Sequence, residues 1–163
     1  MSDNTAAPEG TAGSPVQTNQ KFTVHSQYIK DLSFENPMGP EGLASLQENP
    51  NVDVEVNTSA RLLGENTFEV SLFIRGEAKI DDKTVFIAEL TYGGIVLVSE
   101  DVPEDSIRPL VLIEGPRHLF PFARAIVANV TRDGGFPPMM ISPLDFAAIY
   151  MENHAEREGY DVE

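Results

Sequence analysis

The side chains that could carry chemistry in this sequence are three histidines and a large number of acids. His25, His118 and His154 lie far apart along the chain, and none belongs to a zinc-binding motif such as H-E-x-x-H. The sequence also has no cysteine and lacks the G-x-S-x-G, G-x-G-x-x-G and G-x-x-x-x-G-K-[ST] motifs. We therefore predict no catalytic residues, no metal site and no cofactor.

Paired carboxylates are the next candidates, because two nearby acids can act as acid and base or bind a hard cation. Asp53 with Glu55 and Asp81 with Asp82 have suitable spacing. However, alternating acids normally form the solvated face of a strand, and adjacent aspartates between strands normally form a turn. We interpret both pairs as structural.

Asp31 and Glu35 form a pair that favours partner binding over catalysis. Four residues apart on one strand, they would lie on the same face, about 13 Å apart at a rise of 3.3 Å per residue. If the first and fourth strands share a sheet, Ile87 and Glu89 would add an apolar contact and a third charge, as in a docking surface for a basic partner. The alternative is that these charges only prevent an exposed sheet from pairing with other chains.

The net charge of −15 and the pI near 4.4 also favour a basic partner. Nucleic acid binding depends on lysine and arginine, so nucleic acid is not an expected partner. The negative field would speed encounter with a basic protein, although it could also serve solubility alone.

The elements that would position these residues begin after a tail. Residues 1–20 are rich in Ala, Gly, Ser, Thr and Pro and predict a disordered tail, residues 21–157 form one domain, and residues 158–163 form a flexible acidic tail. The first residues lack the features of a secretory signal, and no stretch reaches the ~20 apolar residues of a membrane span. We expect a cytoplasmic protein without direct membrane insertion.

Four strands are predicted by alternation of apolar and polar residues, starting near Phe22, Asn51, Phe68 and Val85. Turn-forming residues predict a surface loop over 36–50, between the first two strands. In the first, one face is expected to carry Phe22, Val24, Tyr28, Leu32 and Phe34, and the other Thr23, His25, Gln27, Asp31, Ser33 and Glu35. The fourth is apolar on both faces, which suggests that another subunit covers it. Gly93-Gly94 is expected to mark a bulge or bend in this strand.

Helices are predicted to follow the strands. Pro103 suits a first helical position, Gly115-Pro116 is expected to stop or kink the first turns, and an amphipathic pattern then runs to a glycine cap at Gly134-Gly135. Ser142-Pro143 is expected to open a last helix. The fold class is therefore α+β, a four-stranded antiparallel sheet followed by helices.

Five sequence blocks resemble those of the SecB family of bacterial protein-export chaperones. The first, KDLSFENP, matches the family pattern K-D-[IL]-S-F-E-x-P, and the others follow in the family's order. The blocks are Lys30–Pro37, Phe86–Glu89 with Gly93–Ile95, Leu119–Arg124, Gly135–Pro137 and Pro143–Phe146.

This resemblance implies a homotetramer built as a dimer of dimers that binds unfolded preproteins without ATP and delivers them to the SecA motor. The family positions that contact the basic, zinc-bearing SecA tail match Asp31, Glu35, Ile87 and Glu89. The C-terminal helix is a second, looser contact. A structural or adaptor oligomer without client binding is the alternative.

The resemblance also implies a groove for the unfolded client. Relatives often carry a Trp before the proline that ends the first loop, whereas this chain has Glu48-Asn49-Pro50, so the groove is expected to differ. Its expected lining is Phe34, Val52, Val54, Phe86 and Tyr150.

Overall fold

The structure is a computed structural model that describes residues 21–160. The predicted tail 1–20 and the last three residues of the predicted tail 158–163 lie outside the described residues. Residues 158–160 form the end of the last helix.

The four predicted strands form one antiparallel sheet, which confirms the predicted fold class. They are β1 (Phe22–Glu35), β2 (Asn51–Gly64), β3 (Thr67–Ile80) and β4 (Lys83–Val98). The order across the sheet is β1-β4-β3-β2, so β1 lies beside β4 and both β1 and β2 are edge strands. Asp81 and Asp82 form the two-residue turn between β3 and β4, with φ of 49° and 60°. Positive φ at both positions is the geometry of a tight hairpin, which aspartate tolerates better than most residues.

The helices differ from the predictions in three places. The predicted loop 36–50 contains a short helix, α1 (Pro40–Ala44), and a 3-10 turn (Ser45–Glu48). After the sheet, α2 (Glu104–Asp133) runs without interruption through Pro109, Pro116 and Pro121, so Gly115-Pro116 does not stop it. At Gly115 the α2 backbone comes so close to β3 that a Cβ would lie 2.8 Å from the Val70 side chain. Glycine permits this close packing, and that packing holds the helix across the prolines.

The last helix, α3 (Phe146–Tyr160), starts later than the predicted Ser142-Pro143. The Asp145 side chain accepts a hydrogen bond of 3.1 Å from the Ala148 amide and so caps the helix. Asp145, and not Ser142, is therefore the capping residue of this helix. Within the loop, the Met139 amide donates to the Thr131 hydroxyl at 2.9 Å and ties the loop to α2.

The core lies between α2 and one face of the sheet, which we call the helix face. Alternate residues of β3 and β4 pack there against α2. The opposite face, the outer face, carries charged side chains together with half-buried apolar residues of β4. The fully buried members include Val70, Leu72, Ile74, Leu90, Val96, Leu119, Ala123 and Val127.

Two irregularities in β1 change which residues share a face. The pairing with β4 shifts between Val24 and Ser26 and again between Ile29 and Asp31. Tyr28 therefore lies on the outer face and Gln27 on the helix face, so the simple alternation predicted for β1 is wrong at both positions. The extra residues are in β1 and not at Gly93-Gly94, where β4 is continuous.

Among residues 21–160, no helix has both the length and the apolar character needed to cross a bilayer.

Candidate functional site

The four predicted docking residues lie together on the outer face of β1 and β4. Glu35 pairs with Ile87, and Ser33, between Asp31 and Glu35, pairs with Glu89. Asp31 and Glu35 are exposed, while Ile87 and Glu89 are half-buried. The strand order thus meets the condition under which these four side chains form one surface.

The acidic surface continues across the sheet onto residues that sequence reasoning did not assign to it. In the registers of β2 and β3, Asp53 pairs with Glu77 and Glu55 pairs with Arg75. Arg75 in turn pairs with Glu89 of β4. The sequence alone indicates a solvated strand face for Asp53 and Glu55, and only the order β1-β4-β3-β2 places them in line with Glu89. We call the set the acidic surface: Asp31, Glu35, Asp53, Glu55, Glu77, Ile87 and Glu89.

Arg75 lies inside the acidic surface and bridges two of its carboxylates. Its Nε donates to Glu89 Oε1 at 2.9 Å and its Nη1 donates to Glu77 Oε2 at 2.7 Å. The Thr84 hydroxyl donates to the other oxygen of Glu77 at 2.7 Å, and Lys79 lies 3.8 Å from it. The bond from Thr84, followed by that from Arg75, lowers the pKa of Glu77, and the hydrogen bonds to Glu77 and Glu89 raise the pKa of Arg75.

A second polar network on the outer face surrounds Glu69 of β3. Its carboxylate accepts hydrogen bonds from the Tyr28 hydroxyl at 2.5 Å, Lys30 Nζ at 2.9 Å and Arg61 Nε at 3.0 Å. Tyr28 and Lys30 reach it by passing over Gly93, where a Cβ would lie 2.7 Å from the Tyr28 ring. Gly93 thus leaves the space through which β1 side chains contact β3.

The same contacts shift the pKa values of Glu69 and Tyr28. The hydrogen bonds from Tyr28, Lys30 and Arg61 lower the pKa of Glu69 to about 2. Desolvation and then the hydrogen bond to Glu69 raise the pKa of Tyr28 to about 12. Glu69 is therefore a buried carboxylate that stays ionised and links three strands.

We expect Glu69→Gln to lower the free energy of unfolding at pH 7 by about 2 kcal/mol, because charge-assisted hydrogen bonds are stronger than neutral ones. A lowered pKa stabilises the fold above the ordinary glutamate pKa, and that contribution is lost as the pH falls toward about 2. The measurement is urea unfolding followed by circular dichroism at pH 7, 5, 4 and 3. The difference in unfolding free energy between the wild type and the variant should become smaller as the pH falls. The exposed turn residue Glu65, changed to Gln, is the control, and a difference that does not vary with pH would contradict the assignment.

The predicted client-groove residues divide into two groups on the helix face. Phe34 and Phe86 stack at 5.8 Å between ring centroids, and both contact Phe136, at 6.0 and 4.9 Å. Val52 and Val54 lie at the same end of the sheet on edge strand β2 and are 42% and 44% exposed. Phe86 is buried in this chain, so the exposed apolar surface at this end is provided by the two valines.

Tyr150 is not brought into either group. It lies half-buried on α3, where its ring packs edge-on against His154 at 5.7 Å. The structure places α3 against α2, through Phe146 and Phe120 at 5.8 Å.

A second apolar surface, missed by sequence reasoning, lies at the opposite end of β2. An open groove of about 540 Å³ separates the β2–β3 hairpin from the start of α2. Leu62, 66% exposed, lies on its rim, and the apolar alternation of β2 continues through Ala60 to this residue. The apolar part of its lining consists of Ala60, Leu62, Phe68, Ile107, Val111 and Leu112, and polar residues such as Glu65, Glu104 and Arg108 complete it.

The histidines and acids form no metal-binding cluster within residues 21–155, whose side chains the structure describes. His118 instead packs against Phe22, with ring centroids 5.5 Å apart, and its Nδ1 lies 2.7 Å from the Glu114 carbonyl oxygen.

Comparisons with known proteins agree with this fold. Residues 15–157 match the family model described as preprotein translocase subunit SecB. A protein-export protein SecB of Azorhizobium caulinodans is 52% identical over 141 residues, which cover 86% of this chain and 88% of the relative. The protein of the same name from Afipia carboxidovorans is 46% identical over 157 residues, 96% of this chain and 94% of the relative.

A solved structure shares the fold at lower identity. It is a SecB-like chaperone of Mycobacterium tuberculosis, in complex with a ChAD peptide from an antitoxin. It has a TM-score of 0.64 and 15% identity and covers 76% of this chain and 91% of that one. With the family model matched over most of the sequence and close relatives along its length, the chain belongs to the SecB family of protein-export proteins.

Proposed function

We propose that this protein is an ATP-independent, non-enzymatic chaperone that holds unfolded preproteins for export and delivers them to the SecA motor. The observation that carries the proposal is the separation of two surfaces by one sheet. Along β2, Val52 and Val54 project from the helix face, and Asp53 and Glu55 project from the outer face. A client on the apolar side and a basic partner on the acidic side can therefore bind at the same time.

The apolar side suits an unfolded chain because its exposed residues are spread along an edge strand. Val52, Val54 and Leu62 are each more than 40% exposed and line one face of the same strand. An extended client would make several weak contacts, each gaining about 25 cal/mol per Å² of apolar area buried, and together these contacts would give useful affinity.

The acidic side suits a basic docking segment. Six carboxylates face two cations, Arg75 and Lys79, so the surface keeps a negative excess. Complementary charge mainly raises the association rate and selects the partner. The basic, zinc-bearing tail of SecA fits this requirement, and the C-terminal helix would supply a further contact.

The working form we propose is a cytoplasmic homotetramer, a dimer of dimers. The half-buried apolar residues on the outer face of β4, such as Ile87 and Ile95, are compatible with cover by another subunit or partner. Residues 21–157 would form the chaperone domain, with residues 1–20 and 158–163 as tails. Nucleic acid and the membrane interior are not proposed as partners.

The experiment that tests the proposal is a refolding assay with a slow-folding preprotein and no nucleotide. We expect the protein to delay refolding in a concentration-dependent way, because it binds the unfolded chain. An oligomer that leaves the refolding rate unchanged would favour the alternative of a structural or adaptor protein.

A further inference from the structure

Arg75 is hydrogen-bonded to a carboxylate that a basic partner would need to contact. Its Nε donates to Glu89 at 2.9 Å, and Glu89 is one of the four predicted docking residues. Both residues are accessible, with side chains 30% and 37% exposed, so an incoming cation could reach the pair. The docking surface therefore already contains a cation that belongs to the chain itself.

The two contacts of Arg75 are unequal. Glu77 is 12% exposed on its side chain and is held by Thr84 and Lys79 as well as by Arg75. Glu89, by contrast, meets Arg75 through the single Nε contact and is the more exposed carboxylate. If the contact with Glu89 breaks, the guanidinium can remain on Glu77, beside Glu55 in the strand register. Breaking the hydrogen bond from Arg75 to Glu89 should therefore cost less free energy than breaking the one to Glu77.

We propose that Arg75 is an internal competitor of the basic partner: it holds Glu89 until a cationic segment displaces it, and so sets the affinity and selectivity of the acidic surface. This inference rests on the proposed function, since it concerns the same docking site. A single cation gains little by replacing Arg75, because one exposed ion pair is exchanged for another. A segment with several positive charges gains at Asp31 and Glu35 as well, so the surface favours multiply charged partners over isolated basic residues.

The test compares Arg75→Gln with Arg61→Gln in the full-length protein. Both substitutions remove one positive charge from the outer face, but Arg61 contacts Glu69, which retains its bonds from Tyr28 and Lys30. The probe is the zinc-loaded C-terminal tail of SecA as a peptide, titrated by calorimetry at low ionic strength. We expect Arg75→Gln to tighten binding by about two- to fivefold, the value of one exposed ion pair, and by more than Arg61→Gln does.

Two further variants make the result decisive. Glu89→Gln should cost more affinity in the Arg75→Gln background than in the wild type, because only there is Glu89 free for the probe. Arg75→Lys keeps the charge without the fork that spans two carboxylates, and it should bind more tightly than the wild type. If Arg75→Gln does not fold, Arg75→Lys decides the question alone. Affinity no tighter than that of Arg61→Gln, or of the wild type for Arg75→Lys, overturns the inference.

A failure of this inference can be told from a failure of the proposed function by Asp31→Asn with Glu35→Gln. If that double variant binds the probe more weakly while the Arg75 variants show no gain, the docking surface stands and the role of Arg75 is wrong. If all variants bind like the wild type, the acidic surface is not the docking site.

Discussion

Reversing the charge of two residues, Asp31→Lys with Glu35→Lys, is expected to weaken binding of the SecA tail on the order of 100-fold at low ionic strength. Each substitution replaces an attraction with a repulsion, worth roughly tenfold per site. Both side chains are exposed, and neither has an ion-pair partner among residues 21–155, so the fold should tolerate the change. Calorimetric titration of the zinc-loaded tail measures the effect.

The matched control is Glu41→Lys with Glu48→Lys, which changes the net charge equally at exposed acids of α1 and the 3-10 turn, outside the four strands. It should lose much less affinity, and the difference between the two double variants should shrink with added salt, since the Debye length is about 8 Å at physiological strength. Client binding should not change. Equal affinity of the charge-reversed variant and the control at low salt would remove Asp31 and Glu35 from the docking site.

Removing the apolar side chains of β2, Val52→Ser with Val54→Ser, is expected to weaken binding of an unfolded preprotein by about 30-fold. Each valine still exposes more than two fifths of its surface, and covering that area should contribute about 1 kcal/mol. The effect is measured as the concentration of protein that halves the refolding rate of the preprotein.

The same strand supplies the control for this prediction. Asp53→Ser with Glu55→Ser alters the intervening residues, which project from the opposite face of β2. This variant should delay refolding like the wild type while binding the SecA tail more weakly. Client binding that is lost in both variants would indicate damage to the edge strand, and client binding retained in Val52→Ser with Val54→Ser would exclude this end of the sheet as the client surface.

The sequence was sufficient to predict the four strands and the common face of Asp31 and Glu35, two of the predicted docking residues. Alternation and turn residues such as Asp81-Asp82 define four strands, and the spacing of Asp31 and Glu35 places both on one face. The pairing of β1 with β4 could be stated only as a condition, because strand order depends on contacts distant in sequence. The structure meets that condition and thereby adds Asp53 and Glu55 to the surface.

The features that the sequence did not predict depend on contacts between residues that are far apart in the chain. The shifts in β1 place Tyr28 on the outer face because its hydroxyl reaches Glu69 over Gly93, a contact spanning 41 residues. In the same way, Pro116 looked like a helix stop, but the packing of Gly115 on Val70 keeps α2 continuous. Tyr28 and Glu69 are far apart in the sequence, and so are Gly115 and Val70. Neither contact can therefore be predicted from the neighbouring residues in the chain.

The most direct measurement of the central claim is the refolding rate of one slow-folding preprotein with increasing amounts of the wild-type protein and no nucleotide. The account predicts that the rate falls toward zero as the protein saturates the unfolded chain, and that preprotein folded beforehand is neither bound nor unfolded. A refolding rate that stays constant while the protein remains folded and assembled would contradict the account.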